Sequence, residues 1–189
     1  MNKKWWIEYY RQHRNPSAPS DFAKFVSGFL RRTDLLLDVG CGTGRDSVYL
    51  GKFCKVVGID ECTEEIEYLS KHFNKRVAVF KNMNCVEWPV GQLVSHVYLR
   101  FFLHAITEKE EDKLIKLIYQ ILDKNGYLFV EARSILGAFK DPQKSRRFID
   151  QQKLIGKLDG FKLVYIREGI GMASTPTEDP PVVRIVAQR

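Results

Sequence analysis

The stretch LLLDVGCGTGRDSVYL, residues 35–50, constrains the fold of this chain more than any other part of the sequence. Its apolar run gives way to glycines at positions 40, 42 and 44 and then resumes with helical character. Glycine lacks a Cβ atom, so the backbone can turn tightly there and approach a ligand closely. In α/β proteins, a strand followed by such a turn and a helix N-terminus brings backbone groups to a nucleotide-like ligand at the carboxyl edge of the sheet.

The rest of the chain has the alternation that such a sheet requires. Short β-branched runs alternate with longer segments of helical period, which indicates a mostly parallel sheet with helices on both faces. We therefore predict a Rossmann-like α/β fold with seven strands, the last of them antiparallel. Strands are expected at residues 35–39, 55–59, 76–80, 95–101, 126–132, 161–166 and 181–187. Helices are expected near residues 20–31, 44–53, 63–73, 107–122 and 148–158.

Length and composition predict one domain without a membrane partner. With 189 residues and 44% hydrophobic side chains, the chain suits a single domain, residues 1–189, in which residues 1–32 form a helical arm or lid. No apolar run approaches the roughly 18 residues that a bilayer requires, and the N-terminus does not resemble a signal peptide. We expect a soluble, cytoplasmic protein. The four cysteines form no CxxC pair, so neither a metal site nor a disulfide is predicted.

Positive charge is concentrated at two segments of the chain. The net charge is +7, to which residues 1–32 contribute +5 and residues 133–167 contribute +6, while the remainder sums to −4. Such segments are either solvated surface or a binding region for an anionic substrate or nucleic acid. Charge by itself leaves these interpretations open.

The glycine spacing narrows the choice of ligand. A dinucleotide-binding loop has the pattern G-x-G-x-x-G, whereas here the third glycine, Gly44, comes one position early and Arg45 follows it. A phosphate-binding P-loop would continue with Gly-Lys-Ser/Thr, which this chain lacks. The loop therefore disfavours NAD and ATP.

The sequence DVGCGTG resembles the motif of the class I S-adenosylmethionine-dependent methyltransferases, whose first strand and loop hold the methionine end of that cofactor. The resemblance continues in VVGID, where Asp60 takes the place of the acid that accepts hydrogen bonds from both ribose hydroxyls. After the third strand, Asn84 is the counterpart of a residue that reads adenine, with Asn82 as the alternative. The resemblance implies S-adenosylmethionine as cofactor and these binding residues: Asp38, Gly40, Cys41, Gly42, Gly44, Asp60 and Asn84.

The region after the fourth strand bears on the methyl acceptor. It reads VYLRFFLHAI and lacks the Asn/Asp-Pro-Pro-aromatic loop that receives amino groups in many relatives, which disfavours methylation of adenine. The segments RFFLHAI, EARS, RRFID and EDPPVVRIVA together resemble a bacterial subgroup associated with O-methylation of small molecules or glycan precursors. The segment between Arg133 and Arg146 is shorter than in that subgroup, so acceptor recognition is expected to differ.

The two kinds of oxygen acceptor require different side chains. A hydroxyl acceptor needs a base whose pKa is near working pH, and His104 is the candidate, with Arg100 beside it at the predicted rim. A phosphate or carboxylate is already ionised and needs arginines to hold it. The alternative interpretations are that His104 has only a structural role and that Arg146 and Arg147 are surface residues. The predicted acceptor-binding residues are Tyr9, Tyr10, Arg133, Arg146 and Arg147.

The sequence therefore predicts methyl transfer from S-adenosylmethionine to a small anionic acceptor, with oxygen favoured over nitrogen. Two alternatives stay open. The basic charge and the aromatic N-terminal segment also suit an RNA methyltransferase or RNA-binding protein, although no RNA-binding domain is recognisable. The short segment after Arg133 also suits a cofactor-binding partner subunit without catalysis.

Overall fold

The computed structural model describes residues 3–14, 18–140, 147–173 and 178–189. Seven strands form one sheet in the order β3-β2-β1-β4-β5-β7-β6. β7 pairs antiparallel with both β5 and β6, whereas the pairs from β3 to β5 are parallel. The predicted Rossmann-like fold class is thus confirmed. The strands are β1 (Leu35–Val39), β2 (Lys55–Asp60), β3 (Val79–Asn82), β4 (Val94–Arg100), β5 (Leu122–Arg133), β6 (Lys162–Gly169) and β7 (Val182–Gln188).

Helices pack on both faces of the sheet. In α5, Thr107 and Glu110 form the capping box that their spacing predicts. Short 3₁₀ turns follow β4 at Leu103–Ala105 and β5 at Ile135–Lys140. Within the described part of the chain, every helix is too short or too polar to cross a membrane. The helices are α1 (Lys3–Gln12), α2 (Asp21–Ser27), α3 (Arg45–Leu50), α4 (Thr63–His72), α5 (Glu108–Ile121) and α6 (Gln151–Lys157).

The core lies in two layers because both faces of the sheet are covered. Successive side chains of a strand point to opposite faces, so neighbouring residues of β1 enter different layers. Leu36 packs with Phe22 of α2 and Leu69 of α4. Leu37 packs in the other layer with Leu114 of α5. These layers hold the strands in register, so their carboxyl ends come together at one edge.

Some strands begin and end at residues other than those predicted, because pairing with a neighbouring strand sets their limits. The third strand was predicted at residues 76–80, but β3 runs from Val79 to Asn82. Its pairing with β2, from Val57↔Val79 to Asp60↔Asn82, sets these limits. Val77 instead donates its backbone N–H to the Asn74 carbonyl in a turn. The sequence around residue 76 has suitable β-branched side chains but no neighbouring strand with which to pair.

Candidate active site

A cavity of about 880 Å³ lies at the carboxyl ends of β1, β2, β4 and β5. This volume is toward the upper end of the range for small-molecule sites. Most of the residues selected from the sequence lie in its wall. They are Tyr9, Tyr10, Asp38, Gly40, Cys41, Gly42, Asp60, Asn84, Arg100, His104 and Arg133. Gly44 and Arg147 are described but lie outside the wall, and Arg146 lies outside the described residues.

The glycine loop forms one wall of the cavity. Gly40, Gly42 and Gly44 have φ values of 73°, 50° and 70°, which lie in the left-handed region that favours glycine. A Cβ atom at Gly40 would lie 2.2 Å from the Phe102 ring. The N–H groups of Gly40 and Cys41 donate to the Ile59 carbonyl at 2.8 and 3.0 Å, which ties the loop to β2. Gly44 lies outside the cavity wall and is the N-cap residue of α3.

Asp60 ends β2 and accepts hydrogen bonds inside the cavity wall. Its Oδ1 accepts from the Cys62 N–H at 2.9 Å, and its Oδ2 accepts from the Gly42 N–H at 3.1 Å. The Tyr10 hydroxyl of α1 also donates to Oδ2, at 3.3 Å. Burial raises the pKa of Asp60, and these hydrogen bonds oppose the shift. Asp60 is therefore a partly buried acceptor, and some of its acceptor positions are already occupied.

Tyr10 and a ribose would compete for the same carboxylate. An ionised carboxylate offers about four acceptor positions, and three donors already point at Asp60. Two ribose hydroxyls would therefore need the position that Tyr10 holds. We expect Tyr10→Phe to tighten binding of S-adenosylhomocysteine about 2- to 10-fold, the effect of one ordinary hydrogen bond, as measured by calorimetry. Tyr9→Phe makes the same change at an exposed neighbour and serves as the control; an equal effect of both variants would contradict the competition.

Asp38 is buried beneath the glycine loop. The Ser47 hydroxyl donates to its Oδ2 at 2.5 Å. Burial raises the pKa of Asp38 to about 7; the Ser47 hydrogen bond opposes this shift, and the charges of Asp46 and Asp60 add to it. Since the carboxyl of an unfolded chain ionises near pH 3.8, the free energy of unfolding falls as pH rises from about 4 to 7. Above pH 7 the cost of the buried charge is present in full.

Removing that charge should stabilise the protein at alkaline pH. We expect Asp38→Asn to raise the free energy of unfolding at pH 8 by up to about 4 kcal/mol, about three pKa units at 1.36 kcal/mol each. The gain should shrink as pH falls toward 4, where the wild-type carboxyl is protonated in both states. Urea unfolding at pH 5 and pH 8 measures both values. An equal gain at the two pH values would show that Asp38 does not titrate as described.

Asn84 also lies in the wall, but its side chain is already engaged. Its Oδ1 accepts from the Val86 N–H at 3.0 Å, and its Nδ2 donates to Glu61. A contact with adenine therefore stays a prediction. Asn82, the alternative, binds the Asp60 carbonyl and accepts from the Thr63 hydroxyl beside β3.

Arg100 ends β4 and is held by two buried acids. Its Nε donates to Glu131 at 2.9 Å and lies 3.8 Å from Asp46. Glu131 in turn accepts from Arg184 Nε at 2.5 Å. Burial lowers the pKa of Arg100, but the neighbouring Tyr98, Asp46 and Glu131 outweigh it, so the net shift is upward. Arg100 is thus a fixed, paired cation in the wall.

Phe101, which the sequence reasoning did not select, lies between two arginines. The guanidinium carbons of Arg100 and Arg133 lie 4.3 and 5.3 Å from its ring centroid. Its φ of 53° is unusual for a residue with a side chain, and its N–H donates to the Glu131 carbonyl at 2.7 Å. Such strain is often found at functional sites. The sequence signal is an aromatic residue directly after the charged end of β4.

Arg133 and Arg147 have different surroundings. Arg133 ends β5, lies in the cavity wall and donates from Nη2 to Glu178. Arg147 donates to the carbonyls of Leu103 and Ile106, at 2.8 and 3.1 Å, and to Glu111. These bonds tie the chain before α6 to α5. The position of Arg147 therefore does not support its predicted contact with the acceptor.

His104 lies in the 3₁₀ turn after β4 and is buried. It lines the cavity, and its ring centroid is 5.6 Å from that of Phe101. His104 thus lines the cavity in which a base would be needed. Its role as the catalytic base stays a prediction.

Helix α1 covers the cavity on the side of β2. Trp6, Tyr9 and Tyr10 lie in the wall, and the Trp6 and Tyr10 rings have centroids 5.5 Å apart. Arg11 binds both carboxylate oxygens of Glu64 on α4, at 2.8 and 2.9 Å. The described part of residues 1–32 thus includes a helix that lines the cavity, and its role as a lid stays a prediction.

Comparison with known proteins gives independent information on the family. The family model described as a methyltransferase domain matches residues 36–126, which include the glycine loop and Asp60. The carboxy-S-adenosyl-L-methionine synthase of Idiomarina loihiensis is 27% identical over an alignment that covers 66% of this chain and 57% of that relative. The chain thus spans little more than half the length of the curated relatives that it matches.

Solved structures agree on the fold. A S-adenosylmethionine-dependent methyltransferase from Methanosarcina mazei has a TM-score of 0.72 at 21% identity, covering 87% of this chain and 96% of that one. The 1,6-didemethyltoxoflavin-N1-methyltransferase of Burkholderia thailandensis, solved with its substrate and S-adenosylhomocysteine, has a TM-score of 0.75 at 17% identity, covering 99% and 86%. These matches show that the chain has the fold of S-adenosylmethionine-dependent methyltransferases, and that residues 36–126, which hold the glycine loop, match the model of a methyltransferase domain.

Proposed function

We propose that this protein transfers a methyl group from S-adenosylmethionine to a small anionic acceptor, and that oxygen is the preferred nucleophile. One observation carries the proposal. A single cavity combines the glycine loop and Asp60, at the ends of β1 and β2, with Arg133, Phe101 and His104, at the ends of β4 and β5. The first group suits the cofactor and the second suits the acceptor.

The residues of the first group fit S-adenosylmethionine. Gly42 lies in the cavity wall with a φ of 50° and has no side chain, so its backbone can be approached closely by a ligand in the cavity. Asp60 would provide a partly buried carboxylate for the two ribose hydroxyls. Asp38, below the loop, would accept from the ammonium group at the methionine end. When bound, the cofactor supplies a methyl group on a positively charged sulfur.

The protein's task in this chemistry is mainly orientation. The leaving thioether is neutral and needs no acid, so the rate depends on holding the nucleophile in line with the methyl group. A carboxylate or phosphate would be held by Arg133, which is in the wall. For a hydroxyl nucleophile, an imidazole nitrogen of His104 would take the proton. Helix α1 would exclude water from the cavity.

An acceptor screen tests this proposal. The protein is incubated with S-adenosylmethionine and small carboxylates, sugar phosphates, neutral alcohols, amines and an RNA oligonucleotide, and S-adenosylhomocysteine is quantified by mass spectrometry. We expect product with the anionic oxygen acceptors. Since the Burkholderia enzyme is an N1-methyltransferase, the amines are an essential comparison. Product with amines or RNA alone would overturn the proposal.

Arg133 should control turnover without controlling the cofactor. We expect Arg133→Gln to lower kcat/KM for the anionic acceptor about 10- to 100-fold, while S-adenosylhomocysteine binding stays unchanged, because one hydrogen-bonded charge pair is lost. Arg167→Gln removes the same charge from an exposed position on β6 and is the control. If the two variants have equal activity, Arg133 does not bind the acceptor.

A further inference from the structure

Among the described residues, three arginines line the cavity, and they differ in the acids with which they pair. Arg45 pairs with Asp46 at 3.0 Å, and the Asp46 side chain is only 9% exposed. Arg100 pairs with Glu131, whose side chain is fully buried. Arg133 pairs with Glu178, whose side chain is 45% exposed. Among these three, Arg133 is the cation with the most exposed partner.

Arg133 also has an unused donor. Its Nε is buried and has no hydrogen-bond partner among the described residues, while Nη2 donates to Glu178. A buried donor without a partner lowers the stability of the protein, so a ligand oxygen that accepts from Nε would be favoured there. A guanidinium can bind a carboxylate through two parallel N–H groups, so one oxygen on Nε and one on Nη2 would satisfy both. Glu178 satisfies only one of them.

We propose that the methyl acceptor carries a carboxylate that replaces Glu178 on Arg133, and that Glu178 is therefore a specificity-determining residue. The inference rests on the proposed function, because it assumes an anionic acceptor in this cavity. A carboxylate already occupies Nη2, so the site accommodates that group. One exchangeable arginine also balances a monoanion better than a phosphate dianion, since Arg45 and Arg100 are held by buried acids.

If the acceptor replaces Glu178 on Arg133, Glu178 lowers the affinity of the cavity for the acceptor. Its negative charge competes with the acceptor for Arg133 and repels other anions from the cavity. A neutral or weakly bound molecule gains too little to displace it, whereas a carboxylate that reaches both Nε and Nη2 gains a second hydrogen bond. Removing the charge of Glu178 should therefore strengthen the binding of carboxylates most.

Binding of benzoate to the protein saturated with S-adenosylhomocysteine tests the exchange. Calorimetric titrations compare benzoate with benzamide, which has no charge, and with phenyl phosphate, in the wild type and in Glu178→Gln, Arg133→Gln and Glu67→Gln. Glu67 is an exposed acid on α4 outside the cavity wall, so its variant controls for net charge. We expect Glu178→Gln to bind benzoate about 10-fold more tightly, Arg133→Gln to lose benzoate, and Glu67→Gln to match the wild type.

The remaining outcomes separate this inference from the proposed function. A shift of the Arg133 Nε–H resonance in NMR spectra on adding benzoate would support the two-point contact. Unchanged benzoate affinity in Glu178→Gln would overturn the exchange. A larger gain for phenyl phosphate than for benzoate would overturn the carboxylate assignment but leave an anionic acceptor in place. Anion binding that survives in Arg133→Gln would overturn both, and the S-adenosylhomocysteine titration would show that each variant is folded.

Discussion

Replacing Asp60 with alanine should weaken binding of S-adenosylhomocysteine about 10- to 150-fold. The reason is the loss of hydrogen bonds between two ribose hydroxyls and a charged group, worth about 1.5 to 3 kcal/mol. Asp60 is the partly buried carboxylate at the end of β2, and it accepts a hydrogen bond from Gly42 in the glycine loop. Isothermal calorimetry on purified protein measures the affinity directly.

The loss can be distinguished from unfolding. Burial raises the pKa of Asp60, so the folded state gains no net stability from its charge, and the alanine variant should keep a thermal midpoint near that of the wild type. Glu67→Ala removes an exposed acid from the neighbouring α4 and is the matched control. Unchanged affinity in Asp60→Ala would mean that the ribose is held elsewhere.

Replacing Glu131 with glutamine should destabilise the protein by about 3–5 kcal/mol. Glu131 lies between Arg100 and Arg184, and all three side chains are largely buried. Removing one partner of a buried ion pair leaves an uncompensated charge, which costs this much in other proteins. Here, two guanidinium groups would lose their shared carboxylate at once.

Urea unfolding of Glu131→Gln measures that loss. Glu67→Gln changes the net charge equally at an exposed position and should unfold near the wild-type midpoint. Arg100 stacks on Phe101 at 4.3 Å, so the variant should also impair the acceptor side of the cavity. A loss below about 1 kcal/mol would show that Asp46 and the Met172 carbonyl hold the two arginines without Glu131.

Much of the cofactor side of the cavity could be predicted because its pattern is local. The glycines follow one another within five residues, and their positive φ values restrict which residues the loop accepts. Asp60 comes at the end of the next strand, so the parallel pairing of β1 and β2 brings it to the same edge. The capping box of α5 joins residues three positions apart. Each of these features depends on contacts that the sequence places close together.

The acceptor side depends on partners far apart in the chain. The sequence predicted Arg100 at the rim of the active site, and the tertiary structure pairs it with Glu131, 31 residues later. Glu178 opens the EDPPVVRIVA segment, and only the tertiary structure shows that it accepts a hydrogen bond from Arg133, 45 residues earlier. Arg147 shares its residue type and predicted role with Arg133, yet packing directs it to α5.

By itself, the sequence determined the α/β class, the glycine loop and the acid that ends β2. These follow from hydrophobic periodicity and from the backbone geometry that only glycine adopts easily. Only the tertiary structure decided which charges neutralise one another, and that Tyr10 of α1 donates to Asp60, 50 residues away. The physical reason is that a side chain of given type has the same donors everywhere, while its partner, its burial and its pKa depend on which strands and helices pack around it.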